Sequence, residues 1–200
     1  MTDLKNAVVL VTGANGGLGR EFVVQAVARR AAKVYVTART PQVWDDDRVV
    51  PFTLDITNHA SVTRAATDAG DVPVLINNSG AFTGATLLSE DPEAAKALLD
   101  INFWGQLRVS NTFAPVLAAN GGGGFLNVLP VLSWLGISDA YSATKTAFWS
   151  ATNTQRLALA KQGTGLYLGA HRHFDDRRTR HGEERSRWHL RGRVRRPGGR

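Results

Sequence analysis

Tyr141 and Lys145 stand four residues apart in the stretch Tyr141-Ser142-Ala143-Thr144-Lys145. On a helix that spacing brings both side chains to one face. The pairing has a chemical use. A phenol with a pKa of about 10 is a poor acid or base at neutral pH. A neighbouring ammonium favours the phenolate and lowers that value. Such a tyrosine can pass a proton to or from the oxygen of a carbonyl or an alcohol. The same spacing also arises on ordinary helices with an exposed lysine, so the pair needs support from elsewhere in the chain.

A second chemistry lies near the N-terminus, in Thr12-Gly13-Ala14-Asn15-Gly16-Gly17-Leu18-Gly19. An apolar run precedes it and a helical pattern follows. Gly13 permits a tight turn, Gly17 lets the backbone approach a pyrophosphate, and Gly19 allows a helix to pack closely on a strand. The free N–H groups and partial positive charge of the helix N-terminus favour phosphate. Asn15 and Leu18, inside the turn, join Gly13, Gly17 and Gly19 as candidate contacts of a bound dinucleotide. Hydride carried by a nicotinamide and a proton carried by Tyr141 would together interconvert a carbonyl and an alcohol. An oxidised nicotinamide would also help lower the phenol's pKa.

The elements that must hold these residues alternate along the chain. Ala7–Val11, Lys33–Thr37, Val49–Leu54, Val72–Ile76, Phe125–Leu129 and Gly165–Gly169 read as strands. Leu18–Arg30, Ser61–Asp68, Pro92–Ala119 and Ala140–Lys161 carry helical periodicity, and Gly121–Gly124 reads as a turn. Strands alternating with helices imply βαβ units and a parallel sheet. Strands apolar on both faces imply a sheet covered by helices. The expected fold class is α/β, a doubly wound, Rossmann-like parallel sheet. Residues 1–170 form one dinucleotide-binding and catalytic domain, and residues 171–200 form a basic, unpatterned tail.

Five signals in order give the chain a resemblance to the short-chain dehydrogenase/reductase family. They are Thr12 to Gly19, Asp55 after the third strand, Asn77-Asn78-Ser79-Gly80, Asn102 in Ile101-Asn102-Phe103-Trp104-Gly105, and Tyr141 with Lys145. The resemblance implies hydride transfer between a nicotinamide cofactor and a small carbonyl or alcohol substrate. It makes Tyr141 the acid/base, and Lys145 the residue that lowers its pKa and orients the cofactor ribose. It makes Asn102 the holder of a water in a proton relay. Asp55 is then the carboxylate near the adenine, while it can also cap the helix after Ile56-Thr57. Asn77 closes the fourth strand, and Asn78, Ser79 and Gly80 lie along the cofactor, with Ser79 where the family usually has alanine. The family also implies a homodimer or homotetramer, for which Trp104, Phe148 and Trp149 are candidate contacts or core residues.

The family pattern fails at two places. A serine that hydrogen-bonds the substrate oxygen normally follows the fifth strand; aligned on Asn127, that place falls on Pro130, which has no side-chain donor. Ser133 can replace it only if the loop is displaced. Past Ala170 the family continues with a Pro-Gly turn, substrate-covering helices and a last strand, whereas this chain turns to Arg/His-rich text. An aberrant, frameshifted C-terminus is the expected origin, leaving the last strand and the substrate helices missing or disordered; a catalytically impaired or truncated protein is the alternative this raises. A nucleotide-binding protein without turnover is the alternative. Cofactor choice is read at the end of the second strand, where no acidic residue is present to bind the ribose 2′-OH of NAD(H). Arg39 there suits the 2′-phosphate of NADP(H), or is a solvated loop arginine.

Charge sharpens the domain division. The net charge is +7, yet residues 1–170 carry 13 Lys/Arg against 13 Asp/Glu, and residues 171–200 carry 11 Arg against 4 acids. The excess belongs to the tail, so nucleic-acid binding is not expected of the fold. A basic arm binding nucleic acid is the tail's alternative reading. There is no cysteine, and His171, His173, His181 and His189 match no zinc-ligand spacing, so no metal is expected. No apolar run approaches the roughly 20 residues of a membrane span, and the polar start lacks a signal-peptide layout. A cytoplasmic enzyme is the expectation.

Overall fold

The structure, a computed structural model, describes residues 3–171, with side chains described through residue 169. Six strands are present: β1 (Val8–Thr12), β2 (Lys33–Ala38), β3 (Val49–Thr53), β4 (Val74–Asn77), β5 (Gly123–Pro130) and β6 (Thr164–His171). They form one sheet in the order β3-β2-β1-β4-β5-β6. All five pairings are parallel, in registers such as Val9 with Val34, Val9 with Val74 and Asn77 with Asn127. The helices are α1 (Gly17–Ala28), α2 (His59–Asp68), α3 (Glu93–Leu99), α4 (Gln106–Ala119) and α5 (Asp139–Ala160). This is the doubly wound, Rossmann-like α/β fold. Strand order reverses between β1 and β4, and a crevice outside the strand C-termini at such a point is where ligands bind in open α/β sheets.

Alternation along the strands builds the core on both faces of the sheet. On β1, Leu10 turns to one face, with Leu75, Val109, Phe113, Leu117 and Phe125. Its neighbours Val9 and Val11 turn to the other, with Val23, Ala26, Val34, Val36 and Ile76. Leu10, Phe113 and Phe125 are fully buried. Truncating a phenylalanine in such a place costs about 3–5 kcal/mol, so both layers hold the strand C-termini firmly. Asn58 starts α2 by accepting the Ser61 N–H at 3.1 Å, an N-cap worth about 1 kcal/mol.

The structure corrects the sequence reading in one region. Pro92–Ala119 was expected as one helix, but a π-helical segment, Asp100–Gly105, separates α3 from α4. Wider turns of this kind recur at functional sites, and this one carries Asn102. It packs closely on the preceding loop: a side chain on Gly105 would meet Ile56 Cγ1 at 2.9 Å, and Arg108 donates to the Ile56 carbonyl at 2.6 Å. The helix thus lies hard against the loop after β3. Two strands are longer than expected: β5 begins at Gly123 and ends at Pro130, and β6 runs from Thr164 to His171.

His171, expected to open the tail, is the last residue of β6; the rest of the Arg/His-rich tail, residues 172–200, lies outside the described residues, and with it the frameshift reading and the C-terminal strand and helices. Among the described residues no helix is long and apolar enough to cross a membrane, and no group of three or more His, Cys, Asp or Glu is placed to hold a metal.

Candidate active site

The floor of the site is the turn between β1 and α1. Gly13 has φ +66°, and a side chain on Gly19 would run into the Gly13 carbonyl and the Asn78 carboxamide. Close packing of helix on turn therefore excludes any residue larger than glycine at position 19. The helix starts at Gly16 with extended backbone, no side-chain cap and no acidic residue in its first turn. Its opening N–H groups thus have no side-chain acceptor, which leaves their partial positive charge to an anion. Gly17 has open space where a side chain would stand. Leu18 instead packs against the core beneath.

The turn is braced from β4. Thr12 Oγ1 accepts from the N–H groups of Asn78 and Ser79, each at 2.9 Å. The Asn78 carboxamide donates back to the carbonyls of Thr12 and Gly13 at 3.0 and 3.2 Å. Asn78 therefore supports the turn from below rather than lining the groove, whereas Ser79 and Gly80 do line it. Asn77 is fully buried and donates to Gln106, Ser110 and Asn127.

A groove of about 670 Å³ opens above this floor. Its lining includes Gly13, Asn15, Arg39, Asp55, Ser79 and Gly80. That volume lies within the ordinary range for small-molecule sites. At its far end Asn15 donates to the Thr40 carbonyl at 2.7 Å and accepts from the Gln42 N–H at 3.2 Å. Asn15 thereby joins the glycine turn to the loop that carries Arg39. Asp55 Oδ1 accepts from the Thr57 hydroxyl and N–H at 2.7 and 2.9 Å. These bonds, the hydroxyl first, hold its carboxyl below the usual range, and the charges of Arg39 and Arg108 add to the effect. Asp55 thus lines the groove and closes the turn to Thr57, while the helix-capping role expected of it falls to Asn58.

The other end of the groove leads to α5. Tyr141 and Lys145 are both buried, and Lys145 Nζ lies 5.9 Å from the centre of the Tyr141 ring. A side chain on Gly80 would come within 3.1 Å of both Lys145 Nζ and Asn102 Oδ1, so three sequence-distant signals meet at this glycine. The Asn102 carboxamide accepts from the Ala81 N–H at 2.8 Å, and donates to the Ala81 carbonyl at 2.9 Å and to Thr144 Oγ1 at 3.2 Å. These bonds hold the loop after β4 in place.

Electrostatics at this end differ from the sequence expectation. Burial raises the Tyr141 pKa rather than lowering it. Burial also brings Lys145 down to about 8, and among the described residues it forms no ion pair with a carboxylate. The physical reason is shared: both groups lie in a low-dielectric setting that disfavours their charged forms.

Pro130 ends β5 and is followed by a short 3-10 turn, Val131–Ser133. Ser133 is buried; its carbonyl accepts from the Thr146 hydroxyl at 2.9 Å, and its own Oγ has no hydrogen-bond partner. Of the aromatic residues named for subunit contacts, Phe148 is fully buried in the chain's own core, Trp149 stacks edge-on with Trp134, and Trp104 is exposed.

Sequence reasoning missed several participants. Thr12 braces the site across a separation of 66 residues, and nothing in its local pattern announces this. Gln106, fully buried, donates to the Ser79 carbonyl; its spacing of four from Asn102 was the available signal. Phe82 lies edge-on against Tyr141, ring centres 4.9 Å apart, and only its place after Gly80 hinted at that.

Comparison with known proteins agrees with this geometry. The short chain dehydrogenase family model matches residues 7–167. A crystallised short chain dehydrogenase from Burkholderia cenocepacia J2315, in complex with NADP, is 34% identical with a TM-score of 0.81, over 91% of this chain and 79% of that one. A short-chain dehydrogenase/reductase of Pestalotiopsis microspora is 31% identical over 78% of this chain and 54% of its own length. The NADPH-dependent 1-acyldihydroxyacetone phosphate reductase of Schizosaccharomyces pombe is 30% identical over 78% of this chain and 55% of its own length. The chain thus spans about half the length of these two curated relatives. With the family match covering four-fifths of the chain, and Asn102 and Lys145 brought together at Gly80 of the groove that the glycine turn lines, the chain belongs to the short-chain dehydrogenase/reductase family.

Proposed function

We propose that the chain is an NADP(H)-dependent oxidoreductase that interconverts a small carbonyl compound and its alcohol. The observation that carries this reading is that Lys145 and Asn102 come together at Gly80, a residue of the groove's lining, with Tyr141 on the same helix as Lys145. The groove suits the cofactor: uncapped N–H groups of α1 offer a pyrophosphate site, and Asp55 and Arg39 flank the adenosine end. Arg39 has no carboxylate partner among the described ion pairs, which favours a 2′-phosphate over the bare ribose of NAD(H). The Burkholderia relative's NADP and the yeast relative's NADPH dependence point the same way.

When bound, the reduced nicotinamide would supply the hydride that reaches the carbonyl carbon. Tyr141 gives its phenolic proton to the carbonyl oxygen, and the Lys145 ammonium stabilises the phenolate left behind. In the reverse direction Tyr141 takes the alcohol's proton. Asn102 holds the loop after β4 in place, and a proton relay at this residue would run through its main chain. Pro130 offers no hydroxyl where the family has its serine; unless Ser133, whose Oγ has no hydrogen-bond partner, supplies the contact to the substrate oxygen, the rate is expected to fall on the order of 10²–10³-fold. The test is reduction of a panel of ketones and aldehydes with NADPH. Turnover supports an enzyme. NADPH binding with no turnover would favour the second reading, a nucleotide-binding protein silenced at Pro130. A homodimer or homotetramer is the proposed assembly, with exposed Trp104 as its contact; light scattering on the purified chain tests it.

A further inference from the structure

Two segments far apart in sequence wall the adenosine end of the groove. The loop after β3 gives Leu54, Asp55, Ile56 and Thr57 to the lining, and the π-helical segment Asp100–Gly105 gives Ile101. Ile56 and Ile101 pack in one apolar cluster. An adenine ring has two apolar faces and a polar edge. It suits a slot between two such side chains, with the Asp55 carboxylate placed to accept from its amino group.

Most of the loop's hydrogen bonds secure it on one side. The Leu54 N–H donates to the Ala38 carbonyl at 2.9 Å, the Asp55 N–H donates to Ser61 Oγ at 3.0 Å, and Thr57 donates to Asp55. These ties run to β2, to α2 and within the loop. None of them reaches the π-helical segment. Arg108, in α4, supplies the tie across. Its guanidinium donates to the Ile56 carbonyl at 2.6 Å and lies 3.6 Å from an Asp100 carboxylate oxygen. One cation thus grips the loop at Ile56 and the π-helical segment at its first residue. The Arg108 side chain is only 24% exposed, so water competes weakly for these contacts. A hydrogen bond from a charged donor is about twice as strong as a neutral one. The two walls also touch directly, since a side chain on Gly105 would meet Ile56 at 2.9 Å.

We propose that Arg108 is a positioning residue for the adenosine half of the cofactor: by holding Ile56 and Asp100 together it sets the width of the slot between Ile56 and Ile101 that takes the adenine ring. The inference rests on the reading of the groove as a dinucleotide site. It deepens that reading by naming a residue that governs one half of the cofactor while touching neither its phosphates nor its nicotinamide.

Four probes divide the cofactor into parts. NADPH and NADH carry both halves. ADP-ribose carries the adenosine half without nicotinamide. Reduced nicotinamide mononucleotide carries the other half without adenosine. Calorimetric titration of the full chain gives a Kd for each. Arg108→Met keeps the stem and removes the charge and the donors. It should raise the Kd for NADPH, NADH and ADP-ribose by the same factor, about tenfold, as loss of one charge-assisted hydrogen bond implies. Reduced nicotinamide mononucleotide should stay within about twofold. Arg108→Lys, which keeps one charged donor, should return ADP-ribose to within about threefold of the wild type. Where Arg108→Met does not fold, Asp100→Ala replaces it: that variant frees one side of the guanidinium and should raise the ADP-ribose Kd about two- to threefold. An ADP-ribose Kd unchanged in the variant tested overturns the role given to Arg108. So does equal weakening of both half-cofactors, which marks a general loosening, or weakening of NADPH alone, which marks a phosphate contact. A wild type that binds neither NADPH nor ADP-ribose contradicts the dinucleotide reading itself.

Discussion

Asn15 donates to the Thr40 carbonyl at 2.7 Å, which makes the glycine turn and the loop carrying Arg39 one structural unit. The turn proposed to bind phosphate and the loop whose Arg39 is proposed to select the cofactor are thus joined by a single carboxamide. Because Asn15 also accepts from Gln42, its loss leaves both bonds unmade. Asn15→Ala should therefore weaken NADPH binding about five- to tenfold, as loss of a net hydrogen-bond contribution of about 1 kcal/mol implies. NADH binding should change less. Fluorescence titration with both cofactors reads the difference.

Arg39 itself should have the larger effect. A charge-assisted contact to a 2′-phosphate is worth about 1.5–3 kcal/mol. Arg39→Ala should then raise the Kd for NADPH on the order of 10- to 100-fold and leave NADH nearly unaffected. A wild type that binds NADH as tightly as NADPH would count against the role given to Arg39.

Thr12 tests the brace under the turn. Its hydroxyl accepts from two backbone N–H groups, Asn78 and Ser79. Thr12→Val keeps the volume and removes the acceptor. Two N–H groups left without a partner cost about 1–3 kcal/mol each at full burial; these are partly buried, so a total of about 2 kcal/mol is expected. Urea denaturation should show the fall, accompanied by weaker cofactor binding.

Lys145 gives the chain a pH signature. Its pKa is about 8 in the folded protein, below the ordinary lysine value of 10.5. Between those values the unfolded chain binds the proton and the folded one does not. Stability from this group must therefore rise as pH rises from about 8 to about 10.5, and is absent below. The full shift corresponds to about 3 kcal/mol. Comparing urea midpoints of wild type and Lys145→Met at pH 8 and pH 10 isolates the effect. The wild type should gain relative to the variant on going to the higher pH, and an unchanged difference would show that Lys145 titrates normally.

The fold and the order of the site were legible because they rest on local signals. Strand periodicity placed Val9, Val11 and Leu10 on their strand, and Gly13 and Gly19 marked a turn only glycine can make. Tyr141 and Lys145 share a face by helix geometry alone. What was not legible depends on contacts between distant segments. Asn78 looked like a cofactor contact, but its carboxamide turns beneath the groove to Thr12 and Gly13, a choice made by strand pairing. Asn102 lies in a π-helical segment whose helical periodicity in sequence is indistinguishable from an α-helix. The sequence shows a cation beside the phenol but not the burial that raises the one pKa and lowers the other.

The central claim is that Tyr141 moves the proton while the groove holds the cofactor independently of it. The direct measurement is Tyr141→Phe, which keeps the ring and removes the hydroxyl. Reduction of the carbonyl compound that turns over fastest in the panel should fall about 10²–10⁴-fold, the usual range for loss of a general acid, while the Kd for NADPH stays within about threefold. A variant that retains wild-type turnover, or that loses turnover only because NADPH no longer binds, would contradict the account.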